Sequence, residues 1–153
     1  MELIIMRHGE AGSHPIDSQR TLTVRGVEQV QHSANELANA GIQPSAIWTS
    51  PYVRARQTAS VASETLGVSV LTHNALTPDS DPRALLAALQ EHSGTSPLMV
   101  VSHMPFVENL TSLLIDGNRR ARYPYDTAQI RVLELTWPAS GCGLLKKELP
   151  MAG

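Results

Sequence analysis

Charge of one sign, cysteine and long apolar runs are all scarce in this 153-residue chain. Twelve Lys and Arg stand against fourteen Asp and Glu, a formal charge of -2. So even a balance does not seek out nucleic acid or an anionic membrane surface, and neither is an expected partner. Cys142 is the single cysteine, so no internal disulfide can form, and a reducing cytoplasm is the expected setting. No stretch approaches the ~20 apolar residues of a membrane span. The N-terminal apolar run ends at Arg7, too short for the apolar core of a signal peptide. The six histidines are scattered, and no tetrad of Cys and His has zinc spacing. There is no Gly-rich loop ending in Gly-Lys-Ser/Thr, which disfavours a P-loop NTPase. No Pro-, Gly- or Ser-rich linker divides the chain, so residues 1–153 are expected to form one domain.

What the chain does have is an alternation of two patterns. Leu3-Ile4-Ile5-Met6, Ala46-Ile47-Trp48 and Leu98-Met99-Val100-Val101 are continuous apolar runs, the mark of strands covered on both faces. Between them lie helical patterns. Thr23 is placed to cap a helix bearing Val27, Val30, Ala34, Leu37 and Ala38, with Gly41 as its stop. Ser50-Pro51 reads as the cap and first position of a second helix, carrying Val53, Ala55, Thr58, Ala59, Ala62 and Leu66 and ending at Gly67. Asp81-Pro82 repeats that start before Leu85, Leu86 and Leu89. Pro105 opens a fourth helix with Val107, Leu110, Leu113 and Leu114, stopped by Asp116-Gly117. Ile130 to Leu135 and Leu144 to Leu149 read as a hairpin with Gly141 and Gly143 in its turn. The pattern predicts an α/β fold, a mostly parallel sheet with helices on both faces.

Ligands of such sheets bind beyond the carboxyl ends of the strands. Arg7-His8-Gly9 follows the first strand, and Ser102-His103 follows the run at 98–101. Arg54 lies one turn into the helix after the second strand. Two histidines and two arginines are thereby expected on one rim. Paired guanidiniums hold a phosphoryl group and offset its charge during transfer. Their charge also keeps a neighbouring imidazole neutral, with a lone pair free for attack. Gly9 is expected to let the backbone approach the phosphate. No metal or organic cofactor is required, because the arginines supply the positive charge. Arg56 is two positions from Arg54, about 200° around the helix, so only one of them faces the rim.

These residues carry a resemblance to a known family. Met6-Arg7-His8-Gly9-Glu10 resembles the Arg-His-Gly signature of the histidine phosphatase superfamily, which includes the phosphoglycerate mutases. Ser50-Pro51-Tyr52-Val53-Arg54-Ala55-Arg56-Gln57-Thr58 resembles its Ser-Pro-x-x-Arg-Ala-x-Gln-Thr block, and Val101-Ser102-His103 its second histidine motif. The tripeptide alone is weak; the three motifs in order are specific, and the likeness runs from Met1 to about Leu135. Arg20-Thr21-Leu22-Thr23 with Gly26, Leu76-Thr77-Pro78 and Tyr125-Asp126-Thr127-Ala128 are similar to stretches of the small bacterial phosphohistidine phosphatases. Only Leu71 to Ala84 separates a further short strand region from the next helix, which leaves little chain for a lid.

The resemblance implies a three-layer α/β/α sandwich with a mixed, mostly parallel central sheet, phosphoglycerate mutase-like and without a large lid insertion. It implies His8 as nucleophile, with Arg7, Arg54 and His103 holding the phosphate and His103 also stabilising the transferring group. Asp79 and Asp81 are the candidates for a general acid, although Asp81 also reads as a helix cap. The implied partner is a phosphorylated histidine-containing phosphotransfer protein, and a monomer is expected. Two alternatives stay open: a phosphatase for a small phosphoester metabolite, and a non-catalytic phosphate-binding module. A mutase is disfavoured for want of covering segments. Arg119, Arg120 and Arg122 form a basic patch, either simply solvated or steering an acidic partner. All readings require His8 and His103 to lie within a side chain's reach.

Overall fold

A computed structural model describes residues 1–92, 97–118, 120 and 122–150 of the chain. The first strand, β1 (Glu2–Arg7), shows why its sequence has no polar alternation. Leu3 and Ile5 enter one apolar cluster, Ile4 and Met6 enter a second on the opposite face, and all four are fully buried. Side chains alternate across a strand, so a strand with an oily layer on each side must be apolar throughout.

Five further strands complete the sheet: β2 (Ala46–Thr49), β3 (Val70–Thr72), β4 (Leu98–Ser102), β5 (Ile130–Leu135) and β6 (Gly143–Leu149). Their spatial order is β3-β2-β4-β1-β5-β6. The pairs β1–β4, β2–β4 and β2–β3 are parallel; β1–β5 and β5–β6 are antiparallel. The sheet is therefore mixed and mostly parallel. Helices α1 (Val24–Asn39) and α2 (Val53–Leu66) cover the face of Ile4, Met6, Met99 and Val101. Helices α3 (Pro82–His92) and α4 (Phe106–Asp116) cover the face of Leu3, Ile5, Leu98 and Val100. This is the expected three-layer α/β/α sandwich. Among the described residues no helix is long and apolar enough to cross a membrane.

The caps follow the sequence at two helices. Thr23 Oγ1 accepts from Gly26 N at 2.9 Å to start α1, and Asp81 Oδ1 accepts from Arg83 N at 3.0 Å at the start of α3. The second helix departs from expectation. It begins at Val53, with Tyr52 in the cap position, and not at Ser50-Pro51. Ser50 Oγ does accept from a backbone N–H, that of Tyr52 at 3.2 Å, but it turns the chain one step before the helix. Gly141 adopts the turn conformation expected of it, φ 71°. Gly143 instead opens β6, where an added Cβ would lie 2.9 Å from Leu135 Cδ2.

Candidate active site

Because β1 and β4 are parallel neighbours, with Arg7 opposite Ser102, the residues that follow them emerge side by side. His8 and His103 meet edge to face, ring centroids 5.1 Å apart. The backbone of His8 is fixed on both sides. Its N–H donates to Ser102 O at 3.0 Å, and its carbonyl accepts from Ala128 N at 3.0 Å.

The chemistry of His8 follows from its contacts. Nδ1 lies 2.7 Å from Gly9 O, a carbonyl that can only accept, so Nδ1 carries the ring proton. Nε2 keeps its lone pair, and the Arg54 Nε–H donates toward it at 3.3 Å. Burial lowers the His8 pKa most, and the charges of Arg54, Arg7 and Arg20 add to that effect. Together they overcome the raising influence of the Gly9 carbonyl and bring it to about 4. His8 is a neutral imidazole at neutral pH, as a nucleophile must be.

His103 is set by Ser50. Ser50 Oγ accepts from Tyr52 N and is hydrogen-bonded to His103 Nε2 at 2.7 Å, either atom supplying the proton according to the ring's tautomer. The other ring nitrogen, Nδ1, is a buried atom with no partner among the described residues. Burial first, then the charges of His8 and Arg54, lower the His103 pKa to about 3. Arg7 Nη1 donates to Tyr125 O at 2.7 Å, while its Nε is buried without a described partner. The Tyr125 carbonyl is steadied from behind, since Tyr125 OH shares a 2.7 Å hydrogen bond with Thr111 Oγ1. Two of the three orphaned buried polar atoms among the described residues thus belong to Arg7 and His103. Such atoms are costly unless they serve a ligand.

The other motif residues are fasteners. Thr58 Oγ1 accepts from Gly9 N at 3.1 Å and donates to Arg54 O at 2.8 Å, tying the loop after His8 to α2. Gln57 Oε1 accepts from Leu22 N at 2.7 Å. Arg56 is exposed and its Nε donates to Pro51 O, so Arg54 is the arginine that faces the site. Gly9 has a packing role that the sequence did not suggest. A Cβ there would lie 2.6 Å from Gly26 O and 2.9 Å from Val30 Cγ2. Its missing side chain admits helix α1, and its N–H is already given to Thr58.

Asp79 and Asp81 are both exposed. Asp79 sits on the turn closed by Ser80 N donating to Thr77 O. Asp81 spends its carboxylate on Arg83, with Oδ2 3.1 Å from Nη2. A carboxylate that does reach the site is Asp17, a residue that motif reading passed over. It accepts from Arg54 Nη2 at 3.1 Å and from Arg20 Nη1 at 3.3 Å. Desolvation opposes its ionisation, but the hydrogen bonds and charges of Arg20 and Arg54 prevail and lower its pKa. The signal available in sequence was the family-like stretch beginning at Arg20, three residues on. Glu10 accepts from Thr23 Oγ1 at 3.0 Å, at the start of α1. Arg120 and Arg122 are exposed; Arg119 lies outside the described residues. Among the described residues no three or more His, Cys, Asp or Glu gather in a way that could hold a metal ion.

A neutral imidazole ringed by guanidiniums at the carboxyl rim of a mixed sheet is built for one cargo, a phosphoryl group. Comparison with known proteins gives that class its name. The sequence model of the histidine phosphatase superfamily (branch 1) matches residues 3–77. Phosphohistidine phosphatase SixA of Escherichia coli (strain K12) is 29% identical over 155 residues, spanning 94% of this chain and 96% of that protein. The structure of the protein histidine phosphatase SixA complexed with tungstate superposes with a TM-score of 0.88 at 29% identity, covering 97% of this chain and 96% of that one. An uncharacterized protein of Picosynechococcus sp. (strain ATCC 27264 / PCC 7002 / PR-6) is 35% identical over 111 residues, 69% of this chain and 67% of that protein. The chain belongs to the histidine phosphatase superfamily.

Proposed function

We propose that the protein is a phosphohistidine phosphatase whose substrate is the phosphorylated histidine of a phosphotransfer protein. In the first step the His8 Nε2 lone pair attacks phosphorus in line. A bond forms from Nε2 to phosphorus as the bond from phosphorus to the substrate's imidazole nitrogen breaks, and that nitrogen takes a proton from solvent. In the second step water adds to phosphorus, the His8 bond breaks, and orthophosphate leaves. Arg7, Arg54 and His103 offset the charge on the equatorial oxygens in both steps. No cofactor enters this scheme. In this reading the chain acts as a single monomeric domain in the cytoplasm.

One observation carries the choice of leaving group. Asp17, the carboxylate hydrogen-bonded to Arg54, is held ionised by two arginines, and His103 is neutral with a pKa of about 3. Neither is a ready acid near pH 7. An alkyl phosphate needs its leaving oxygen protonated, whereas an imidazole nitrogen protonates readily from water. The likeness to SixA points the same way.

The test is phosphate release, metal-free, from a phosphorylated phosphotransfer domain and from a small aryl phosphate, with His8→Ala as control. Preference for the phosphoprotein, abolished in the control, supports the reading. Turnover of the aryl phosphate alone would point to a metabolite phosphatase and make Asp79 and Asp81 the next residues to test as its acid. Activity on neither, with phosphate still bound, would make it a binding module.

A further inference from the structure

A guanidinium can grip an anion with paired hydrogen bonds along either of two edges, its end (Nη1 and Nη2) or its side (Nε and Nη2). In Arg54 the end edge is taken. Nη1 donates to Asp17 O at 2.8 Å and Nη2 to Asp17 Oδ2 at 3.1 Å. The side edge is turned toward His8, with Nε 3.3 Å from Nε2. Asp17 is itself held. Arg20 Nη1 donates to its other oxygen at 3.3 Å, and Arg20 Nε donates to Gly12 O at 2.7 Å. A line of hydrogen bonds therefore runs from the backbone of the β1–α1 loop through Arg20 and Asp17 to Arg54, and ends at the reacting nitrogen.

The exposure of the two partners separates function from stability. The Arg54 side chain is 5% exposed and that of Asp17 60%. An ion pair with so wet a member adds little to folding. Its effect falls on where Arg54 points. We propose that Asp17 is a positioning residue, which occupies the end edge of Arg54 so that the side edge receives the phosphoryl group at His8. The inference needs only a phosphoryl site at His8, so it stands whether the leaving group is imidazole or an alcohol.

A double-mutant cycle tests it, with Asp17→Ala, Arg54→Ala and the pair. Two readouts are taken: kcat/KM on an aryl or phosphohistidine substrate, and equilibrium affinity for orthovanadate, which requires no turnover. Asp17→Ala is expected to lose about 30-fold to 100-fold in kcat/KM, the scale of a small misplacement of a catalytic group. In the Arg54→Ala background the same change should lose less than about 2-fold, because the residue it acts through is gone. Asp17→Asn keeps an oxygen to accept from Nη2 and should retain more activity than Asp17→Ala. Losses that multiply in the double variant would overturn the proposal, since Asp17 would then act on its own. So would a reversed order of Asn and Ala, or a melting temperature that falls by more than about 5 °C in Asp17→Ala. Failure of the wild-type protein to bind orthovanadate would remove the phosphate site and the proposal with it.

Discussion

Ser50 Oγ lies 2.7 Å from His103 Nε2, and this contact holds the ring of the second histidine in place. Ser50 is itself fixed by accepting from Tyr52 N. Ser50→Ala removes that hold on the ring. Steady-state kinetics should show kcat reduced by about 10-fold to 100-fold, the range for weakening one transition-state donor. Ser50→Thr should restore most of it. An unchanged kcat in the alanine variant would mean that Ser50 does not set the ring.

The pH dependence of activity should lack the usual histidine limb. His8 has a pKa of about 4, so it stays neutral well below pH 6.5. Protonation of His8 in the free enzyme should lower kcat/KM only as pH falls toward 4. A limb near 6.5 would mean that the nucleophile is not desolvated in this way.

The same two histidines make the fold sensitive to acid. Their folded pKa values, about 4 for His8 and about 3 for His103, lie below the unfolded value near 6.5. Between these limits the unfolded chain binds more protons, so stability is complete above pH 6.5 and falls as pH drops. Each histidine contributes a slope of up to ~1.4 kcal/mol per pH unit in that window. Urea titrations at pH 7 and pH 5 should show the loss, and His103→Asn should make it shallower.

Charge alone does not reproduce Arg54. Lysine would keep the positive charge but lose the fork whose Nε addresses His8 and whose ends hold Asp17. Arg54→Lys should reduce kcat/KM by about 100-fold. Arg56→Ala, at an exposed position, should stay within about 3-fold. Equal losses at the two positions would contradict the orientation of helix α2.

Glycine at positions 9 and 26 is a packing requirement. A Cβ on Gly26 would sit 2.1 Å from Glu10 O, closer still than the contact described for Gly9. Both obstacles are backbone, which yields little. Gly9→Ala should cost ~1–3 kcal/mol, read as a lower melting temperature, and Gly26→Ala more. Gly9→Ala should also disturb catalysis, because its N–H anchors the loop to Thr58.

The sheet and its helices were legible because their signal is local. Ile4 and Met6 differ from a half-buried strand by lacking a polar alternate, and Thr23 and Asp81 stand where their caps are used. Arg7, His8, Arg54 and His103 were legible from strand order and motif. The start of α2 was not, because a Ser-Pro pair is equally consistent with a cap and with the turn that Ser50 makes toward His103. Asp17 was invisible for a different reason. It sits in a short 3₁₀ turn (Asp17–Gln19) whose place over Arg54 depends on the tertiary path of the β1–α1 loop. The packing role of Gly9 was hidden because sequence shows that a side chain is missing but not which neighbour fills its space.

The alternation of β1 has one more consequence. Leu3 and Ile5 belong to the layer of α3 and α4, and Ile4 and Met6 to the layer of α1 and α2. The strand that ends in His8 is thus a partition between two oily compartments, and slackening of either side moves the wall. Catalysis in this protein is a gauge of the whole fold. Turnover should fade in step with global unfolding, and inactive forms that remain folded should arise from changes at the rim.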